Sequence, residues 1–193
     1  MAKLAVGILH PPQEQAVDWA KQIALVVGAS LFVALCARVT VPLPFTPVPL
    51  TLQNFGVLVV GLVMGPRRAF AALVLYLAEG AAGLPVFNPA GLGGVAQLMG
   101  PTGGYLLAYP LVAGLAGFLV ERGRKTFARA AGAGLAAEVL LFTVGLTWLA
   151  VLTGSATRAI QWGLYWFLFA EVIKILMAAA VSIRLKREPK VQA

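Results

Sequence analysis

Six apolar runs, roughly 17–39, 51–64, 68–83, 103–120, 128–153 and 162–183, take up most of this chain, and the breaks between them fall at charges or at proline and glycine clusters. A helix needs about 20 predominantly apolar residues to cross the hydrocarbon core of a bilayer, with a range of about 17–25. The second and third runs are short, so they need residues from their loops to complete a crossing. Only 11% of the 193 residues are charged and 60% are hydrophobic, with a mean hydropathy of +0.88. A soluble domain carries about 25% charged residues. There is too little polar material here to cover a surface facing water. The expectation is an all-α integral membrane protein: a single transmembrane domain over 1–193, built as a six-helix bundle with ordered outer loops forming a lid.

The basic residues predict the orientation. Lys3, Lys21, Arg67, Arg68, Arg122, Arg124, Lys125, Arg129, Arg184, Lys186, Arg187 and Lys190 cluster at the leader, at two alternate connections and at the tail. Those twelve of the 15 basic residues belong on one side, while the intervening connections carry almost none. Short cytoplasmic segments retain Lys and Arg. The pattern predicts both termini in the cytoplasm, with a leader at 1–16 and a tail at 184–193. The net charge of +8 is therefore a topology signal and not the mark of a nucleic-acid partner. The leader's brief apolar stretch is broken at once by His10, Pro11 and Pro12. No small-residue cleavage site follows, so a cytoplasmic tail is expected in place of a cleaved signal.

Two connections fall on the outer side, and neither is polar. TVPLPFTPVPLTLQ, from Thr40 to Gln53, holds Pro42, Pro44, Pro47 and Pro49 and no charge. Alternating prolines disfavour helix and central strand and favour extended geometry. The second connection is rich in glycine, at Gly91, Gly93, Gly94, Gly100, Gly103 and Gly104. Irregular apolar backbone at a membrane edge is tolerated where it packs on protein or lines a cavity. Both strips therefore read as a lid over a pocket. Polar groups in the second strip are few: Asn88, Gln97, Thr102 and Tyr105. Amide side chains offer both donor and acceptor, which suits a neutral, amide-like ligand. GLGGVA, from Gly91 to Ala96, resembles a loose dinucleotide fingerprint, but it lacks the strand that such a site requires.

Glu79, Glu138, Glu171 and Lys174 fall within apolar runs, where ionisable groups are costly and are either paired or functional. Glu171 and Lys174 lie three apart and so share a helix face. They serve either as an internal ion pair or as a pocket wall offering one acceptor and one cation. Glu79 reads as structural or at the rim; the sequence assigns Glu138 no firm role beyond an ion pair with Arg129 or a partner contact. Ala20, Ala24 and Gly28, and Ser30 and Ala34, recur at the four-residue spacing that lets membrane helices approach closely. That face packs within the bundle or docks on another membrane protein. The lone Cys36 forms no internal disulfide, and the sole histidine, His10, lies in the leader. With no metal cluster, no Cys–His pair and no phosphate-binding loop, the chain is not expected to be an enzyme or to hydrolyse ATP.

Three stretches, VTVPLPFTPVPLTLQ, GLPVF and GPTGGYLLAYP, resemble in order and spacing those of the biotin-specific membrane components called BioY, the substrate-capturing (S) components of energy-coupling factor (ECF) transporters. The resemblance is strong over roughly 30–117 and rests on topology elsewhere. It implies a six-helix bundle with the vitamin under outer loops, no cofactor, and a multi-pass protein of the bacterial cytoplasmic membrane. It also implies an acid and a lysine three apart on the last helix, matched here by Glu171 and Lys174. The family usually has Asp, often after Gly, where this chain has Glu171 after Ala170. Biotin carries a urea with two donors and one acceptor, and a carboxylate tail. Glu171 is then the candidate acceptor for urea N–H groups, and Asn88 or Gln97 the candidate donor to its carbonyl. Lys174 meets the carboxylate or sits at the urea end. Thr102 is a further polar candidate, and Phe45, Tyr105, Tyr109 and Trp166 are candidate walls. The small-residue face of Ala20, Ala24, Gly28, Ser30 and Ala34 is the implied dock for a transmembrane coupling protein driven by two ATPases. Some family members occur without those partners. The alternatives are an S component or solitary transporter for another vitamin, and a membrane scaffold that transports nothing.

Overall fold

A computed structural model describes residues 12–124 and 126–185, with side chains from Asp18 onward. Most of the expected leader, Lys125 and the tail beyond Leu185 lie outside the described residues. Within them the chain is mainly helical. Helix α1 (Pro12–Arg38) leads into a small hairpin of β1 (Thr40–Val41) and β2 (Leu50–Thr51), followed by α2 (Gln53–Met64) and α3 (Pro66–Ala81). A long irregular connection holds the short α4 (Gly94–Met99). Then come α5 (Gly103–Glu121), α6 (Phe127–Thr153), α7 (Ala156–Ile160), a π-helical turn (Gln161–Tyr165) and α8 (Leu168–Leu185).

Three helical segments are long and apolar enough to cross a membrane: Asp18–Arg38, Gly103–Glu121 and Phe127–Thr153. A fourth span is made if α7 with the π turn is joined to α8, a pair bent by 47°. That is fewer than the six expected. The reason is length: at about 1.5 Å per residue, the 12 residues of α2 and the 16 of α3 cover only about 18 and 24 Å of a core about 30 Å thick. Gly65 and Pro66 stop one and start the other. Gly65 sits at φ 79°, and Pro66 opens α3, where its missing N–H costs nothing.

The core is one large cluster with a smaller one, of Val48, Leu149, Ala159 and Phe167, beside the hairpin. α5 packs against α2, α3 and α6, and α8 closes on α2 and α6. Small residues set these distances. An added Cβ at Gly61 would meet the Ala113 backbone, and at Gly117 the backbone of Gly65 and Pro66. Ser30 belongs to this interior: it is fully buried, and its hydroxyl donates to Glu79, which joins α1 to α3. The expectation that Ser30 faces a partner is therefore overturned, since the hydroxyl is spent inside the bundle. Ala34 is half-buried against the same core, whereas Ala20, Ala24 and Gly28 are exposed.

The proline strip forms the hairpin. Thr40 pairs with Thr51 and Val41 with Leu50 in an antiparallel register. All four prolines fall between the two pairs, where no ladder N–H is asked of them. The hairpin's far end is tied down by Thr46, whose Oγ1 donates to the Trp162 carbonyl at 2.7 Å and accepts from the Val48 N–H at 3.1 Å. At its base, Arg38 donates to the Pro85 carbonyl, joining α1 to the start of the long connection.

Candidate functional site

Four elements converge on one polar cluster inside the bundle. α8 contributes Glu171 and Lys174, one turn apart, with Nζ 2.6 Å from Glu171 Oε1. Both residues are 7% exposed. α2 begins just after the hairpin, so the side chains of its first turn, Gln53 and Asn54, enter the same interior. Asn54 Nδ2 donates to Glu171 Oε2 at 2.7 Å and also to Glu138 Oε1 of α6. Gln53 Nε2 donates to Tyr76 Oη at 2.9 Å, and that hydroxyl donates to the Val86 carbonyl at 3.0 Å. The Gln53–Tyr76 chain thus anchors the start of the long connection to α2 and α3.

A cavity opens beside this cluster. Its polar lining comes from Thr51, Gln53, Asn54, Asn88, Thr102, Glu171 and Lys174. Val48 and Pro49 of the hairpin form one wall; Tyr105, Leu106 and Tyr109 of α5 and Leu141 and Phe142 of α6 form others. Gly163 of the π turn and Phe167 complete it. Apolar walls with a few convergent polar groups are the usual plan of a small-molecule site.

Tyr105 is held by its surroundings. Its hydroxyl donates to the Gly163 carbonyl at 3.0 Å, and its ring meets Phe142 edge-on at 6.3 Å. Gly145 and Gly163 leave the space it fills, since a Cβ at either would strike its ring or hydroxyl. That carbonyl belongs to the π turn, whose i→i+5 bonding is a local distortion often found at functional sites.

Of the four buried side-chain polar atoms without a hydrogen-bond partner among the described residues, three are acceptors, Asn54 Oδ1, Asn88 Oδ1 and Glu138 Oε2, and one, Gln97 Nε2, is a donor. The molecule that fits this surface is one that brings N–H or O–H donors.

Residues 10–190 match the profile of the BioY family. The chain belongs to the BioY family. A relative named as a probable biotin transporter BioY, from Pyrococcus horikoshii, is 36% identical over 86% of this chain and 97% of its own. One named as the biotin transporter BioY of Thermotoga maritima is 35% identical over 83% of this chain and 95% of its own. The fold is that of a solved crystal structure described as the S-component for biotin from an ECF-type ABC transporter. The TM-score is 0.81 at 23% identity, over 93% of this chain and 96% of that one. The family is one of transporters, and the apolar helices are those of a membrane protein.

In this BioY-family chain the cavity gathers Asn88, Thr102, Tyr105, Tyr109, Glu171 and Lys174, all singled out from the sequence. Three other candidates lie elsewhere. Gln97 faces a neighbouring cavity that shares Pro49, Asn88 and Thr102 with the first, and its Oε1 accepts from the Gly93 N–H at 3.1 Å. Gly91 lies hard against the Gln97 amide, which holds it there. Phe45 and Trp166 do not wall the cavity. Their rings lie 4.4 Å apart, each residue 48% exposed, and join the hairpin to the start of α8 on the surface. Trp166 is carried out by the end of the π turn, and Phe167 turns inward in its place. Missed by the sequence reading were the roles of Gln53, which ends the proline strip, and Asn54, which follows it, and the contact of Glu138. Glu138 does not pair with Arg129: buried inside the bundle, it reaches Asn54, and Arg129 Nε donates to the Leu119 carbonyl at 3.2 Å.

Proposed function

We propose that this chain binds biotin in the cavity beneath the hairpin and serves as the substrate-capturing component of an ECF-type uptake transporter in the cytoplasmic membrane. The observation that carries the reading is the buried Glu171–Lys174 pair, opening with Asn88 into an apolar cavity, in a chain related along most of its length to named biotin transporters. Biotin's urea brings two N–H donors and one carbonyl acceptor, and its tail brings a carboxylate. Glu171 accepts from the urea, Asn88 stands by the same ring, and Lys174 supplies the cation. The surplus of buried acceptors suits a ligand rich in N–H groups. The proline hairpin and the glycine-rich connection act as the lid on the outer side, with Tyr105 and Tyr109 as walls below. Titration of the purified protein with biotin, desthiobiotin, thiamine and riboflavin tests this reading. Tight binding confined to biotin and its desthio analogue is the expected result, and its absence ends the reading.

The orientation follows from the basic residues, which leave both outer strips almost uncharged. Leu92 in the glycine-rich strip is 83% exposed. Cysteine placed there, with Cys36 replaced by Ala, is expected to react with a membrane-impermeant maleimide in intact cells. Reaction only after the cells are opened would reverse the topology. The exposed face of Ala20, Ala24 and Gly28 is the proposed dock for the coupling protein and its two ATPases.

A further inference from the structure

Glu138 and Asn54 are among the most deeply buried polar residues of the chain, 3% and 4% exposed. They come from α6 and α2, 84 positions apart, and meet beside Glu171. A primary amide has two hydrogens on nitrogen and two lone pairs on oxygen. Asn54 Nδ2 directs its hydrogens at two carboxylate oxygens, Glu138 Oε1 and Glu171 Oε2. The reversed amide would aim its oxygen at both carboxylates, acceptor against acceptor, in a site sheltered from water. The two acids therefore select one orientation, and Oδ1 is left on the opposite side. That oxygen is buried, has no partner among the described residues, and belongs to a residue that lines the cavity. A buried acceptor of this kind is costly to leave unpaired. An unpaired acceptor carried by a residue in the cavity wall is one that a ligand donor can satisfy.

We infer that Asn54 is a binding residue whose Oδ1 accepts an N–H of the ligand, and that Glu138 is a positioning residue that locks the Asn54 amide in the accepting orientation. The ligand chemistry required is an N–H donor held in an apolar ring, such as one side of a cyclic urea. The inference rests on the biotin reading and extends it to two residues on other helices. Glu138 also steadies Glu171 indirectly, because the amide it orients is the one that holds Glu171 Oε2 while Lys174 holds Oε1.

A double-mutant cycle tests this, with biotin titrated into detergent-purified wild type, Asn54→Ala, Glu138→Met, Glu138→Gln and the pair N54A/E138M. Gel filtration and thermal unfolding of each variant establish that it is folded. N54A and E138M are each expected to weaken biotin binding by about tenfold or more, the value of a hydrogen bond made next to charged groups. The pair is expected to be no weaker than N54A alone, because Glu138 acts through Asn54. E138Q keeps an oxygen acceptor for the Asn54 amide and is expected to restore binding to within about threefold of wild type. A merely structural Glu138 gives additive losses and no such rescue, and that result overturns the inference. Should E138M not fold, N54A decides alone: biotin binding as tight as wild type overturns the proposal. Wild type that fails to bind biotin overturns the function and this inference together. Wild type that binds while N54A is unaffected overturns this inference only.

Discussion

At the scale of single residues, the Glu171–Lys174 pair couples two quantities that mutation can separate. Breaking a buried pair by removing one partner leaves the other charge uncompensated, at a cost of about 3–5 kcal/mol, whereas replacing both by apolar residues of similar volume is often close to neutral. Lys174→Ala is therefore expected to lower the unfolding temperature of the purified protein markedly, and E171M/K174M to lower it less. Both variants are expected to lose biotin binding. If the double variant instead kept its affinity for biotin, the pair would be structural only. Part of this site was legible beforehand, because an acid and a lysine three apart in an apolar run have few innocent explanations. Asn88 and Tyr105 stood out similarly, as polar groups in an otherwise greasy strip. Asn54 did not, because an amide after a proline strip reads as a helix start. Nor did the contact of Glu138, since its partner is 84 positions away and only packing joins them.

At the scale of elements, the π turn and the hairpin work as a unit around Tyr105. The turn offers two carbonyls, Gly163 to the Tyr105 hydroxyl and Trp162 to Thr46 of the hairpin. Gly145 on α6 leaves the room that the ring needs, since a Cβ there would strike the Tyr105 ring. Gly145→Ala is thus expected to displace Tyr105, to cost about 1–3 kcal/mol of stability as overpacking does, and to weaken biotin binding. Thermal unfolding and titration of the same preparation check both effects. Unchanged binding would mean that Tyr105 is no wall of the site. The hairpin was half legible. Four prolines announced stiff, non-helical backbone, but the pairing of Thr40–Val41 with Leu50–Thr51 depends on how α1 and α2 bring the strip's ends together. The π turn left no sequence signal; the run read as one helix over 162–183 begins as α8 only at Leu168.

At the scale of the whole molecule, apolar composition announced a helical membrane protein, but the number of full spans depends on lengths set by the Gly65–Pro66 break. The same composition leaves the outer faces of the bundle to lipid, and one of them is unusually smooth. Ala20, Ala24 and Gly28 are exposed on α1, and a Cβ added at Gly28 meets nothing within 4 Å. A side chain there starts out into open space. It obstructs what approaches from outside, and small residues on membrane helices serve that kind of close approach. Gly28 is also not among the residues that line the cavity. Gly28→Leu is therefore expected to leave the biotin affinity of the isolated protein within about threefold of wild type. Uptake of labelled biotin by cells that co-express the coupling protein and its ATPases is expected to fall. Loss of binding in the isolated protein would show that α1 shapes the cavity. Undiminished uptake would mean that the partner docks on a different face or is not required.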